Sequence, residues 1–382
     1  MSESFDICVI GGGLAGLSAA AELAAACRVA LVEREAHWAY HSTGRSAALF
    51  SETYGNAAVR ALTRASRDFY LAAADSRKFT QPRGVLYAAD RGQQDDLMAL
   101  HETLSAVSPR IALLDPAAAL ALCPVLRGDL LSGALLEPDA RDIDVAAVVD
   151  HYVRQFRSRG GRQYRDAEVV GLEHSRGEWL VGAGSLEIRA AVVVNAAGAW
   201  ADEIARIAGV AAAGLTPRRR TALRVSAGPW APAQWPCVID VDEHWYFRPD
   251  AGALLLSPAD ETPSPPCDAQ PDDYDVALAI ERIEAATRLE IERPLSTWAG
   301  LRTFTADRTP VVGFDPGVQG FYWLAGQGGY GIQTAPALAK LAAAQITGTN
   351  VPLQFAAAGV DAADLTPARL RREASRLNDA AQ

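Results

Sequence analysis

The sequence predicts an α/β protein in which a parallel sheet with covering helices is joined to a second, mostly antiparallel β-sheet domain. Three observations lead to this prediction. Residues 7–10 are a short, wholly apolar run, as in a strand buried on both faces of a parallel sheet. A glycine-rich turn and an alanine-rich segment typical of a helix follow at once. Between residues 216 and 257, short runs instead alternate apolar and polar residues between turns, as antiparallel strands do.

The first turn has the pattern Gly11-x-Gly13-x-x-Gly16 and precedes a predicted helix over residues 17–26. Gly11 permits a tight turn, Gly13 lets the backbone approach a pyrophosphate, and Gly16 lets the helix pack closely on the strand. The N–H groups at the helix start attract an anion. The pattern therefore predicts a phosphate-binding turn.

A second strand, over residues 29–32, ends at Glu33, where a carboxylate can bind ribose hydroxyls. Together with the preceding turn it predicts a Rossmann-like, dinucleotide-binding domain. The same pattern returns later, with an apolar strand over residues 190–194 and another over residues 321–324, which leads to a second glycine run and a last helix over residues 332–346. We therefore predict two discontinuous domains: residues 1–80, 140–215 and 305–382 bind the cofactor, and residues 81–139 and 216–304 form the substrate domain.

Composition excludes several classes of protein. The 46 acidic and 36 basic residues give a net charge of −10, which argues against nucleic acid or an anionic membrane as the main partner. The five cysteines form no CxxC pair, so we expect no disulfide framework, no metal site and a cytoplasmic location. The N-terminus is acidic and its apolar run is interrupted by glycines, so we expect no targeting or transmembrane segment.

Further segments distributed along the chain carry a resemblance to a known family. Besides the first glycine turn, they are His41-Ser42-Thr43-Gly44-Arg45-Ser46-Ala47, Val193-Val194-Asn195-Ala196-Ala197-Gly198-Ala199-Trp200, Trp298-Ala299-Gly300-Leu301-Arg302 and Ala325-Gly326-Gln327-Gly328-Gly329-Tyr330-Gly331. In this order the chain resembles the flavoproteins of the D-amino-acid oxidase and dehydrogenase family. The loop at His41 and the C-terminal run are most similar to those of the bacterial D-arginine dehydrogenases.

The resemblance implies FAD as the cofactor. A second glycine-rich helix start, at residues 328–331, agrees, because N–H groups at a helix start stabilise the negative charge of a reduced flavin. The attachment is expected to be non-covalent, since residues 321–331 lack the cysteine that sarcosine-oxidase relatives use; His41 is a disfavoured alternative tether. By resemblance the adenosine side, the flavin and its pyrimidine edge are held by Gly11, Gly13, Ala15, Gly16, Glu33, Arg34, Ser42, Thr43, Gly44, Arg45, Ser46, Ala47, Ala48, Leu49, Val169, Gly329, Tyr330, Gly331, Ile332, Gln333 and Thr334.

The reaction that the resemblance implies is transfer of a hydride from the α-carbon of a D-amino acid to flavin N5. Such an enzyme must position the substrate carboxylate, and an Arg–Tyr pair does this through a bidentate fork and a phenol donor. By resemblance Arg302 is the carboxylate-binding arginine, Tyr246 is the matching phenol, and Tyr54 faces the substrate. A further substrate-side arginine matches Arg220 within Arg218-Arg219-Arg220, although such runs are usually solvated.

Two departures from the D-arginine dehydrogenases affect the expected substrate. Val85 stands where they have an acid for a cationic side chain, and Leu49 replaces a histidine. An unpaired guanidinium there would be costly, so we expect neutral or apolar D-amino acids. The chain has only two lysines, Lys78 and Lys340, which favours a quinone or other carrier over oxygen as electron acceptor, with oxygen still possible. The alternatives are an N-methyl amino acid or 2-hydroxy acid as substrate and, more remotely, a non-catalytic dinucleotide-binding protein.

Overall fold

A computed structural model describes residues 3–71 and 79–371 of the protein. The strands of these residues are β1 (Glu3–Ile10), β2 (Val29–Val32), β3 (Leu49–Phe50), β4 (Thr80–Pro82), β5 (Val85–Asp90), β6 (Ala112–Leu114), β7 (Leu131–Glu137), β8 (Arg141–Ile143), β9 (Arg162–Tyr164), β10 (Val169–Ser175), β11 (Glu178–Ala183), β12 (Leu186–Asn195), β13 (Thr216–Val225), β14 (Cys237–Asp240), β15 (Tyr246–Asp250), β16 (Ala253–Ser257), β17 (Ser296–Phe304), β18 (Val311–Phe314) and β19 (Phe321–Ala325). Their α-helices are α1 (Leu14–Leu23), α2 (Ala57–Ala65), α3 (Arg67–Leu71), α4 (Gln94–Ser105), α5 (Pro116–Leu122), α6 (Val145–Ser158), α7 (Ala201–Ile207), α8 (Asp273–Ala286), α9 (Gly331–Thr347) and α10 (Gln354–Ala358).

The first sheet is built around parallel strands, as the apolar runs predict. β1 lies between β12 and β2, parallel to both, while β9 continues the parallel order beyond β2 and β19 pairs parallel with β12. The hairpin β10–β11 and strand β18 add antiparallel edges. Every residue of β2 is buried, which explains why its sequence shows no polar alternation.

Side chains from the two faces of this sheet enter different cores. Ile7 and Val9 of β1 pack in one core with residues of α1, α6 and α9, whereas Cys8 and Ile10 pack in the other with Trp179 and residues of α7. Helix α1 begins at Leu14, three residues before the predicted start, because Gly13 itself occupies the N-cap position. This early start brings the helix N-terminus directly to the end of β1.

The second sheet has the strand order β17-β13-β16-β15-β14-β5-β7-β6 and is antiparallel except for the parallel pair β14–β5. Its register places alternate residues on one face: Cys237 is opposite Val85, and Ile239 is opposite both Tyr87 and Tyr246. These side chains therefore point to the same side of the sheet. The fold is thus the predicted α/β fold with a second, mostly antiparallel sheet.

A small third sheet has the strand order β3-β8-β4. In the chain, its strands stand where the sequence passes from one large sheet to the other. The strands of the first large sheet come from residues 3–32, 162–195 and 311–325, and those of the second from residues 85–137 and 216–304. The exact domain boundaries given above stay a prediction. Among the described residues, none of the helices is long and apolar enough to cross a membrane.

Candidate active site

The main cavity opens at the carboxyl ends of β1 and β2, where parallel α/β sheets bind their ligands. Fourteen of the residues predicted to bind the cofactor line it: Gly11, Gly13, Ala15, Glu33, Arg34, Ser42, Thr43, Arg45, Ser46, Ala47, Val169, Gly329, Gly331 and Ile332. A smaller cavity adjoins it, and Ala48, Leu49 and Gln333 line that one instead. The predicted residues Gly16, Gly44, Tyr330 and Thr334 line neither.

The first glycine turn is shaped by close backbone contacts. Gly11 has φ +109°, and a Cβ there would lie 2.4 Å from the carbonyl oxygen of Ala196. A Cβ on Gly16 would lie 1.9 Å from the carbonyl oxygen of Gly11. The backbone N–H of Ala15, at the start of α1, has no hydrogen-bond partner among the residues that the structure describes. The turn therefore offers a free N–H and a positive helix end to an anion, as a pyrophosphate requires.

Glu33 is held at the edge of this cavity. Its carboxylate accepts hydrogen bonds from the backbone N–H groups of Gly12, at 2.5 Å, and Glu35, at 2.9 Å. Burial raises the pKa of Glu33 above its ordinary value, although the bonds from Glu35 and Gly12 act against this. The guanidinium of Arg34 lies 4.9 Å from the ring of Trp200. These residues suit the adenosine side of a dinucleotide.

The loop after β2 is tied to both large sheets. Thr43 Oγ1 accepts the N–H of Leu14 at 3.1 Å, on the side of the first sheet. Arg45 Nη1 donates to the carbonyls of Ala269 and Ala299, each at 3.0 Å, on the side of the second. Gly44 allows the tight turn between them, because a Cβ there would lie 2.4 Å from the carbonyl oxygen of Ala39. The loop is therefore fixed along the cavity.

The second glycine run brings another helix start to the cavity. Gly328 has φ +55°, and α9 begins three residues later at Gly331. The N–H groups of Gly331 and Ile332 have no hydrogen-bond partner within the described part of the chain. Two free N–H groups at a helix start suit the pyrimidine edge of a reduced flavin, which carries negative charge.

Three residues of this run have other contacts. Gln333 Oε1 accepts the N–H of Ser51 at 3.1 Å, and its Nε2 donates to Thr63 Oγ1 at 3.0 Å. Thr334 Oγ1 donates to the carbonyl of Tyr330 at 2.8 Å. The ring of Tyr330 packs edge-on against Tyr54, with centroids 4.9 Å apart. Gln333 thus borders the smaller cavity, while Tyr330 and Thr334 support the helix start from behind.

Arg302 lies where the two cavities meet and lines both. Burial alone would lower the pKa of its guanidinium, but Tyr54, Tyr246 and Glu261 together raise this pKa above its ordinary value. Gly329 makes room for it, because a Cβ on Gly329 would lie 2.9 Å from Arg302 Nη1. The structure therefore brings together the predicted arginine and both predicted phenols.

The register of β13 and β17 separates the members of the arginine run. Arg218 is opposite Arg302 and Arg220 is opposite Gly300, so Arg218 and Arg220 share a face with Arg302. Arg220 lines both cavities, and its Nε donates to the carbonyl of Asp260 at 2.8 Å. Arg219 points to the other face and pairs with Asp275 at 2.8 Å. Of the three, Arg220 is therefore the one that lines the cavities.

The remaining wall of the smaller cavity is largely apolar. It includes Leu49 and Val85, the two positions used above to predict the substrate, with Ile239 beside them. Cys237 also lines it, and burial raises the pKa of this thiol to about 12, which keeps it protonated. Of the two lysines, Lys340 lies in α9 and lines neither cavity, and Lys78 lies outside the described residues.

Two polar features of this region were not predicted. Arg248 lines the smaller cavity, two residues after Tyr246 on the same strand and therefore on the same face. The alternation of strand side chains was the signal that could have found it. Behind the cavity, Glu137 accepts hydrogen bonds from Ser51 at 2.9 Å and Thr53 at 2.8 Å, and burial raises the pKa of Glu137 to about 7. No local pattern in the sequence indicated this network.

The site and the fold define a flavoprotein of known type. Residues 6–345 match the DAO family of FAD-dependent oxidoreductases, and the chain belongs to this family. The free N–H groups at two helix starts and the buried Glu33 fit FAD, the cofactor of the family. The finer resemblance to D-arginine dehydrogenases stays a prediction.

Individual proteins are similar to this chain over most of its length. Glycine oxidase of Pseudomonas aeruginosa is 27% identical over 394 residues, which cover 94% of this chain and 100% of the relative. Among solved structures, L-proline dehydrogenase from P. horikoshii has a TM-score of 0.83 at 23% identity, covering 98% of this chain and 99% of that one. Glycine oxidase from Geobacillus kaustophilus has a TM-score of 0.79 at 21% identity, covering 91% and 96%. The two structures share the fold.

Proposed function

We propose that this protein oxidises the α-amine of a D-amino acid, with non-covalently bound FAD as the hydride acceptor. The α-hydrogen leaves as a hydride, the nitrogen lone pair forms the C=N bond, and water converts the resulting imino acid to a 2-oxo acid and ammonia. The observation that carries the proposal is the partly buried guanidinium of Arg302, flanked by two phenols where the two cavities meet. The preference for the D-isomer depends on the family resemblance.

The residues of the site act by binding and orienting the substrate. Arg302 can hold the substrate carboxylate through its two-pronged guanidinium, and the hydroxyls of Tyr54 and Tyr246 can donate to the same group. Because Arg302 is charged and partly shielded from water, this binding is stronger than it would be in water. A carboxylate fixed in this way restricts the α-carbon to one position, which is the main contribution a protein makes to such a hydride transfer.

The rest of the site bears on the side chain and on the electron acceptor. Val85 and Leu49 offer no carboxylate to a cationic side chain, so D-Arg and D-Lys should be poor substrates. A higher kcat/KM for these two than for D-Leu, D-Phe or D-Met would contradict this. Lys340 does not approach either cavity, which supports a quinone or another carrier as the acceptor, with oxygen as the alternative.

The test is anaerobic reduction of the purified yellow protein by matched D- and L-amino acids, followed in the visible spectrum. Bleaching by D-isomers only, with 2-oxo acid and ammonia as products, is the expected result. Bleaching only by N-methyl amino acids or 2-hydroxy acids would replace the substrate class, and no bleaching by any of them would indicate a protein that binds FAD without turnover. Release of all yellow colour on acid precipitation would support non-covalent attachment.

A further inference from the structure

We infer that the substrate carries a second acidic group and that Arg248 binds it. This inference depends on the proposed oxidation of an amino acid and names its substrate class. The class is an amino dicarboxylate, with the second carboxylate either on the side chain or on a substituent of the nitrogen.

Arg248 reaches the smaller cavity from β15. Its Nη1 donates to Asp142 Oδ1 at 2.6 Å and to the carbonyl of Ala48 at 3.5 Å. Its Nε is buried without a partner, and its Nη2 makes no hydrogen bond with any of the described residues. Only 12% of the side chain is exposed. The guanidinium is thus anchored on one edge and keeps unused donors, beside the apolar side chains of Leu49, Val85 and Ile239 in the same cavity wall.

The charge around Arg248 is not balanced. The second oxygen of Asp142 accepts Arg83 Nε at 2.6 Å, so one carboxylate serves two guanidinium groups. Arg83 and Asp142 are also mostly buried, with 13% and 19% of their side chains exposed. The three side chains therefore carry a net charge of +1 in a largely dry environment. A buried charge without a counter-ion is costly, and an anionic ligand would relieve this cost.

Neighbouring acids do not supply the missing charge. Among the described residues that line the smaller cavity, Glu243 is the one carboxylate, and it is exposed to water, which screens it. Glu137 lies behind the cavity, is bonded to Ser51 and Thr53, and has a pKa raised by burial, with Asp139 and Glu52 acting in the same direction. The positive charge at Arg248 is therefore available to a ligand.

The other arginines of the site already have roles. Arg302 is assigned to the α-carboxylate, and Arg220 is bonded to the carbonyl of Asp260 and lies 3.5 Å from Glu261 Oε1. A substrate with one carboxylate would leave the positive cluster at Arg248 unbalanced, whereas a second carboxylate would neutralise it. This substrate class differs from the neutral or apolar amino acids expected from Val85 and Leu49. That expectation considered only the absence of an acid that could pair with a cationic side chain.

The experiment compares pairs of compounds of nearly equal size that differ in one charge: D-Asp with D-Asn, D-Glu with D-Gln, and N-carboxymethylglycine with its monoamide. The measured quantity is the second-order rate constant of anaerobic flavin reduction. Because a charge-assisted hydrogen bond to a guanidinium is involved, we expect the acid to exceed its amide by about 10- to 100-fold in at least one pair. The pair that responds identifies where the second carboxylate lies.

Variants locate the preference. Arg248→Met should reduce the ratio of acid to amide to about one. Arg224→Met is the matched control, because Arg224 pairs with Asp250 at 2.7 Å and lines neither cavity; it should keep the wild-type ratio. A wild-type ratio of one or less, or a ratio unchanged by Arg248→Met, would overturn the inference.

A second measurement needs no variant and no turnover. Succinate should shift the visible spectrum of the wild-type holoenzyme at a concentration at least tenfold lower than succinamate, its monoamide. Equal affinities would count against the role of Arg248 even if the variant fails to fold. Failure of the proposed function has a different signature, since then no amino acid reduces the flavin, although the comparison of the two inhibitors still decides the charge preference.

Discussion

Replacement of Arg302 is the most direct perturbation of the site. Its guanidinium is partly buried beside Tyr54 and Tyr246, and it stays charged at every practical pH because its pKa lies above its ordinary, already high value. Arg302→Met removes two charge-assisted hydrogen bonds to the substrate carboxylate, each worth about 1.5–3 kcal/mol. The sum of about 3–6 kcal/mol corresponds to a loss of about 10²- to 10⁴-fold in the second-order rate constant of flavin reduction. Arg302→Lys, which keeps the charge but not the fork, should fall between.

The assay is stopped-flow reduction under anaerobic conditions, with the flavin spectrum as the check that the variant still holds its cofactor. The methyl ester of the substrate, which lacks the carboxylate charge, is the control compound. Wild type should strongly prefer the acid, whereas Arg302→Met should treat acid and ester alike. A variant with a normal flavin spectrum that keeps the rate constant within tenfold of wild type would refute the assignment of Arg302.

Three further predictions concern the cofactor and stability. Gly329→Ala places a Cβ 2.9 Å from Arg302 Nη1, so we expect FAD to be retained while the Kd of the substrate, measured by absorbance titration, rises tenfold or more. Gly16→Ala places a Cβ 1.9 Å from the carbonyl oxygen of Gly11, so the protein should purify without its yellow colour; a normal FAD content would contradict this. Burial raises the pKa of Glu137 from 4.5 to about 7. Between pH 4.5 and pH 7 the folded protein therefore binds more protons than the unfolded chain, and the free energy of unfolding falls by about 3 kcal/mol as the pH rises through this range. Urea unfolding at pH 5 and pH 8 should show a smaller fall for Glu137→Gln, and an equal fall would exclude this contribution.

The parts of the fold that local pattern determines were predicted from sequence. The apolar runs at residues 7–10 and 29–32 lie in the centre of the parallel sheet, where both faces of a strand are covered, whereas the run at residues 190–194 lies beside them but leaves Ala191 exposed. The start of α1 was placed three residues late, since a glycine N-cap gives no side-chain signal. The parallel pairing of β5 with β14 joins segments far apart in the chain, and nothing in either segment specifies that partner.

The residues of the candidate site were likewise predicted only in part. The glycine turns and Glu33 follow from motif and spacing, and Arg302, Tyr246 and Tyr54 from the family resemblance. Arg248 was missed because an arginine in a strand is usually solvated, although its spacing of two residues from Tyr246 would have placed both side chains on one face. Glu137 depends on two hydroxyls from the loop that follows β3, far away in the sequence, so its buried environment exists only in the folded protein.

The anchoring of Arg45 has a consequence for the way ligands influence one another. This side chain reaches from the cofactor loop to the carbonyl of Ala299 in the second sheet and to that of Ala269 in the loop before α8, and it also pairs with Asp268. A substrate that shifted the second sheet would therefore act, through Arg45, on the loop along the cofactor cavity. By thermodynamic linkage such an effect is mutual. If the substrate increases the affinity for FAD by a given factor, FAD increases the affinity for the substrate by the same factor. Weaker binding of the cofactor and weaker binding of the substrate would then have the same origin.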